Sequence, residues 1–213
     1  MQPTEKSSFL GLSKEEIKVH GRIKKYGDFT LTNAVSPSYD LKVVPKSGFW
    51  RGFYPKISVP FIIISASKES LFELFMEIAR LISNSCVDIF IGDTHRRRRI
   101  HLKKDHESCR RHIDLSVALS MLYDFEELLV DDGYMGISIM NPETGVELRF
   151  DDHKLVVVFN WTTIMDKLLV ILRKYKIKED RQMKFIDEKE HMHSSIFAFR
   201  RQFNKLKICL FAR

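Results

Sequence analysis

The sequence predicts an α+β protein, and two patterns carry that prediction. Residues 57–92 read as strand, helix, strand, and residues 114–176 read as helix, three short strands, helix. A third observation is compositional: of 213 residues, 44% are hydrophobic and only 9 are Gly and 6 Pro, which favours a packed core over long linkers. The expected layout is an N-terminal arm and loop, residues 1–56, followed by a single layered α+β domain, residues 57–213. Within that domain, residues 57–93 and 114–213 form two subunits.

Taken in order, residues 1–40 are polar and weakly periodic, with a short helix in SKEEIKVHGRIKKYG limited by Gly21 and Gly27. PKSGFWRGFYPK reads as a Pro/Gly loop rich in aromatics. VPFIIIS follows as a strand covered on both faces. Ser65 or Ser67 then caps a helix whose stripe is Leu71, Phe72, Phe75, Ile78, Leu81 and Ile82. That helix stops near Ser83 and Asn84, and CVDIFIG alternates as the next strand. Asp114 is the N-cap of a second helix with Leu115, Ala118, Leu119, Leu122, Phe125, Leu128 and Leu129 inward, and Gly133 is its C-terminal stop.

Three short strands come next. YMGISIM turns at Asn141-Pro142-Glu143-Thr144-Gly145 into VELRF, a hairpin signal, and Asp151-Asp152-His153-Lys154 turns that strand into LVVVFNW. Thr163 with Asp166 opens a further helix as a capping-box variant. MKFI reads as a short strand, EKEHMHSS as a polar loop, Ser195 as the start of a helix and KLKICLF as a final strand. The stretches LLVDDGYMGISIMNP, VELRFDDHKLVVVF and EHMHSS resemble an uncharacterised bacterial family in which similar runs follow one another. That resemblance covers roughly residues 112–195 and implies that these turns belong together; no activity comes with it.

Several function classes lose support. MQPTEKSSFL has no apolar run of the kind a signal peptide needs. The most apolar stretch, residues 57–66, is interrupted by Ser58, Pro60 and Ser65, far short of the roughly 20 apolar residues of a membrane helix. No membrane association is expected. Three cysteines without a CxxC pair point to a reducing, cytoplasmic setting, with Cys86 and Cys209 as buried thiols. The nine glycines form no GxGxxG or GxxxxGK[ST], and no GxSxG or HExxH occurs.

The formal charge of +7 is segmented: net +6 over residues 95–113, −9 over residues 114–152, and +5 over residues 194–213. The run HRRRRIHLKKDHESCRRH supplies candidate anion contacts at Arg96, Arg97, Arg98, Arg99, Lys103, Lys104, Arg110 and Arg111, since cations on phosphates release counterions. The blander reading is a solvated loop neutralised by the adjacent acidic stretch. The same run holds His106, Cys109 and His112 with His95 and His101 upstream, ligand types for zinc in a field that repels cations. Phe49, Trp50, Phe53 and Tyr54 with Lys46, Arg51 and Lys56 suggest a base-stacking surface, or simply rings covering a core edge.

Two clusters combine carboxylates with imidazoles: Asp151, Asp152 and His153 in one turn, and Glu190, His191 and His193 in another. Such groups share a metal ion or pass a proton, although Asp also suits tight turns for its backbone hydrogen bonds. If chemistry exists in this chain, these residues carry it, and the two turns then lie within about 10 Å, the span of one small ligand pocket. No catalytic residue is assigned, no metal ligand set is assigned, and no cofactor is expected. The readings lean away from catalysis toward a non-enzymatic intracellular binding or regulatory protein whose partner is an unidentified protein or a second copy of itself, as a homo-oligomer. Nucleic-acid or polyanion binding through residues 95–112 is the alternative, and a metal-dependent enzyme using the acidic-histidine turns is a further one.

Overall fold

A computed structural model describes residues 6–54, 58–93 and 108–211. The fold is α+β. Its centre is a seven-stranded antiparallel sheet built from β4 (Gly48–Tyr54), β5 (Val59–Ser65), β6 (Cys86–Asp93), β7 (Ser108–Asp114), β8 (Met135–Met140), β9 (Glu147–Phe150) and β10 (Val156–Phe159). The strand order is β4-β5-β10-β9-β8-β6-β7. The meander β8-β9-β10 stands in the middle, and the strands of the first unit flank it on both sides.

Alternation explains how the sheet is covered. Met135, Ile137 and Ile139 of β8 are buried while Gly136, Ser138 and Met140 between them are less so, because successive strand side chains point to opposite faces. Ile62, Ile64, Val87, Ile89, Leu148, Phe150 and Val158 join the buried face. Packed with them are apolar residues of α2 (Lys68–Ile82), α3 (Leu115–Tyr123), α4 (Glu126–Asp131), α5 (Met165–Lys174) and α6 (Phe197–Phe211). The other face carries Trp50, Phe61, Phe159 and Arg149, with Phe61 between Trp50 and Phe159 at ring separations of 5.6 and 6.2 Å.

The N-terminal residues form a small separate layer. It contains α1 (Lys14–Gly21), the hairpin β1 (Lys25–Tyr26) and β2 (Phe29–Thr30), and β3 (Val35–Pro37). Ser13 and Glu16 close α1 with a reciprocal capping box. β3 pairs not with the main sheet but with β11 (His191–His193), a short antiparallel ribbon in the register His191↔Pro37, Met192↔Ser36, His193↔Val35. Phe29, Leu31, Val35 and Ile186 make a core cluster of their own.

Several local expectations change. PKSGFWRGFYPK is not a loop: its middle is edge strand β4, paired to β5 along its whole length, because Phe49, Arg51 and Phe53 alternate with Trp50 and Gly52 across the pleat. KLKICLF ends helix α6 instead of forming a strand. Seven alternating residues mimic a strand, but Phe199, Phe203, Leu206 and Leu210 bury at helical spacing, and that longer stripe decides. Cys209 is consequently exposed on α6. MKFI forms no strand, and a short 3-10 turn, Ile186–Glu188, begins at its last residue. Thr163 lies inside a 3-10 turn, Trp161–Ile164, and α5 begins only at Met165. Ser67 precedes α2 without capping it; its Oγ accepts from Thr30 N at 2.9 Å instead.

Gly133 is needed for a different reason from the one its position suggests. A Cβ there would stand 2.1 Å from the Ala34 carbonyl oxygen and 2.8 Å from that of Ser194. The requirement is close approach of three backbones, where the N-terminal layer, β11 and the end of α4 meet.

Candidate metal centre

The acidic-histidine turns meet. His153 Nε2 lies 3.1 Å from His191 Nε2, and His191 Nε2 lies 3.1 Å from His193 Nε2. The three nitrogens fall within 4.8 Å of one another. Ligands 2.0–2.1 Å from a tetrahedral zinc ion stand about 3.4 Å apart, so this spacing suits a shared ion.

Two elements bring the rings together. On β11 the His-x-His spacing puts His191 and His193 on one side of the strand, with Met192 between them on the other. His153 comes from the β9–β10 turn at the end of the main sheet. That turn is closed by Asp151 N donating to Leu155 O at 3.1 Å and by Leu155 N donating to Asp151 Oδ1 at 2.8 Å. Lys154 takes the left-handed conformation there, φ 64°, and its buried ammonium donates to Met135 O at 2.9 Å. Burial pulls that ammonium down to about 8, opposed by Asp151, Asp132, Asp152 and Asp131 around it.

The far nitrogen of each ring fixes its proton. His191 Nδ1 donates to Lys189 O at 2.7 Å, and His193 Nδ1 donates to Gly133 O at 2.7 Å. A carbonyl only accepts, so both protons sit on Nδ1 and both Nε2 atoms carry lone pairs. His153 Nδ1 stands 3.1 Å from Asp152 Oδ1 and 3.4 Å from Asp151 Oδ2. These are ion-pair contacts in line with neither oxygen, because Nδ1 is buried without an aligned hydrogen bond. Burial opposes the charge on His153, but the two carboxylates outweigh it and hold the ring up at about 10.

The three Nε2 atoms converge on one point. An ion held there would be bound by all three rings, and the Lys189 and Gly133 carbonyls at Nδ1 would then act as the outer contacts that orient His191 and His193.

Asp151 and Asp152 with His153 also form a possible ligand group by distance alone. Their contacts are on the Nδ1 side, away from the shared point of the three Nε2 atoms, so they orient His153. Glu190 does not join: its Oε2 accepts from Ser8 N and Ser8 Oγ, both at 2.6 Å. The strand alternation that unites His191 and His193 sends Glu190 elsewhere.

The other sequence candidates are placed only in part. Arg96, Arg97, Arg98, Arg99, Lys103 and Lys104 lie outside the described residues, as do His95, His101, His106 and Lys56. Arg110 donates from Nη1 to Leu210 O at 2.8 Å, tying β7 to α6, and Arg111 is exposed on β7. In the aromatic segment Phe49 is buried, Arg51 pairs with Glu179, and Lys46 pairs with Asp180 at 2.6 Å. Those cations are engaged within the chain.

Sequence reasoning missed the Gly133 and Lys189 carbonyls, because a backbone acceptor leaves no mark in residue identity. It also missed Asp187, whose carboxyl is raised chiefly by desolvation and lies within the fields of His153 and Asp151. No family model, curated protein or solved structure matches the chain. No helix of the described residues is long and apolar enough to cross a membrane.

Proposed function

We propose that this protein is a metal-dependent enzyme of hydrolytic type, with His153, His191 and His193 holding one zinc-class ion. The observation that supports this is the trio of Nε2 atoms that face one point, with His191 and His193 oriented by carbonyl acceptors at Nδ1 and His153 flanked at Nδ1 by two carboxylates. Imidazole trios suit zinc and its neighbours among the first-row metals. Three protein ligands leave a fourth position for water, the pattern of catalytic sites, whereas structural sites close all four. All three rings are partly accessible, so solvent and substrate can reach that position.

An ion there would lower the pKa of bound water to about 7 and supply hydroxide at neutral pH. Asp187 is the group suited to move the proton, since desolvation raises its carboxyl above the ordinary carboxylate value. It borders a depression of about 320 Å³ walled by Trp50, Ile63, Met183 and Phe185, with Arg181 and Glu188 at the margin. That lining suits a small apolar group.

The test is metal content by mass spectrometry after purification without chelator, followed by hydrolysis of activated carboxylic and phosphoric esters by loaded and stripped protein. One ion per chain and activity that returns with metal support the reading. Protein that neither carries nor takes up zinc, manganese, iron or nickel ends it.

A further inference from the structure

We infer that the metal centre is also the latch that holds the N-terminal layer on the body, so that residues 6–43 loosen when the ion leaves. The inference rests on the three-histidine reading and adds a conformational consequence to it.

Two of the three ligands sit on β11, and the sheet partner of β11 is β3 of the N-terminal layer. The third, His153, belongs to the β9–β10 turn of the seven-stranded sheet. An ion bound by all three therefore bridges the ribbon and the main sheet. Without it, that bridge is reduced to the contacts among the three imidazoles.

The layer leans on β11 at several further points. Ser194 N donates to Ala34 O at 2.7 Å, while Gly133 N, from the body, donates to Ser194 O at 2.8 Å. Ser8 is bound by Glu190. His20 Nε2 meets Pro37 O at 2.9 Å, and Lys24 Nζ donates to Val35 O at 3.1 Å, so α1 and the following hairpin hang on β3. The layer's apolar cluster includes Ile186, from the segment leading into β11, and is separate from the main core.

Direct links from the layer to the body include Thr30 N to Ser67 Oγ and Asn33 to the Asp131 carboxylate at 2.8 and 3.2 Å, and Phe29, Leu31 and Val43 face Ala66 and Leu71 across one small cavity. A hydrogen bond contributes about 1 kcal/mol net, so the polar links by themselves hold the layer weakly. A transition metal on three histidines adds a linkage that falls with metal activity. The centre thus reports metal supply to a movable part of the fold, as a metal-responsive switch would.

Hydrogen exchange by mass spectrometry tests this on the full chain, comparing zinc-loaded protein, chelated protein and His153→Ala. His153 lies outside the layer and outside β11, so its loss unties the bridge while leaving the β3–β11 ribbon chemically intact. Peptides covering residues 29–37 and 186–195 should exchange at least about tenfold faster in the chelated and variant proteins. Peptides from β5, β8 and β10 should not change. Zinc bound at one per chain with equal exchange in all three samples overturns the latch and leaves the metal centre standing. Failure of the wild-type protein to bind zinc overturns both.

Discussion

Two histidine-bearing regions of this chain differ in what they can hold. The basic run, residues 95–112, packs four histidines, a cysteine and eight cations into 18 positions. The metal centre draws one histidine from a turn and two from a three-residue strand 38 positions later. In the first, ligand types crowd together amid repelling charge. In the second, carboxylates stand beside the rings and carbonyls fix their protons. Ligand density along a chain is therefore a weaker guide than convergence of lone pairs in space.

The largest effect should come from removing the convergent rings. Replacing His191 or His193 by Ala is expected to lower bound zinc from one per chain to below about a tenth, since two imidazoles and water hold zinc poorly. Retention of full stoichiometry in both variants would place the ion elsewhere and reverse the comparison.

Gly133 should come next. Gly133→Ala pushes a methyl into the Ala34 and Ser194 carbonyls, so the backbones must part and carry the His193 acceptor with them. Overpacking of this kind costs roughly 1–3 kcal/mol or more. At about 2–4 °C per kcal/mol for a chain of this size, a melting point lower by on the order of 5–10 °C is expected, with weaker zinc binding. An unchanged melting point would mean that the three backbones do not meet as closely as described.

The outer carboxylates should matter less than the ligands. Asp152→Asn removes one charge from His153 Nδ1 without touching the turn, which Asp151 closes. Zinc affinity should drop about 10–100-fold with stoichiometry retained. Titration of both proteins in a competing chelator measures this, and equal affinities would remove Asp152 from the site.

How much of this was readable in the sequence follows from the range of each interaction. The strand–helix–strand unit and the meander were legible because alternation and helical stripes are local. So were the two acidic-histidine turns, whose residue types stand next to one another. Edge strand β4 was hidden by Gly and Pro, which signal loops, and α6 was hidden by a strand-like stretch within a longer stripe. The β3–β11 ribbon was out of reach, because three-residue strands whose paired residues lie 154 to 158 positions apart have no periodicity to find. With the ribbon went the exclusion of Glu190, which depends on which side of β11 faces His153.

Stripped of metal, the protein should show a weaker pH signature. His153 is raised from 6.5 to about 10, so its proton stabilises the fold fully below pH 6.5 and the gain fades as pH climbs toward 10. Lys154 and Lys24 are lowered from 10.5 to about 8, chiefly by burial, so folding penalises their charged forms below pH 8 and that penalty is relieved above it. These three groups together predict falling stability from pH 6.5 to about 8, then levelling or recovery as the lysines offset His153. Urea unfolding across that range, with and without His153→Ala, checks the sign; a wild-type protein that gains stability between pH 6.5 and 8 while the variant does not would contradict it.

The smallest effect is expected in the basic run, and it sharpens the comparison most directly. Cys109 and His112 have ligand chemistry, but both are exposed on β7. His112 takes a left-handed conformation, φ 56°, and its backbone N–H donates to Asp88 Oδ1 at 2.9 Å. The position is thus accounted for by its backbone. Asn tolerates that conformation better than most residues, so His112→Asn keeps the backbone geometry while removing the imidazole. The double variant Cys109→Ala, His112→Asn should bind zinc with the wild-type stoichiometry and within about twofold of its affinity, because neither side chain approaches the three-histidine point. Loss of an ion from this variant would show that the crowded run, and not the convergent rings, holds the metal.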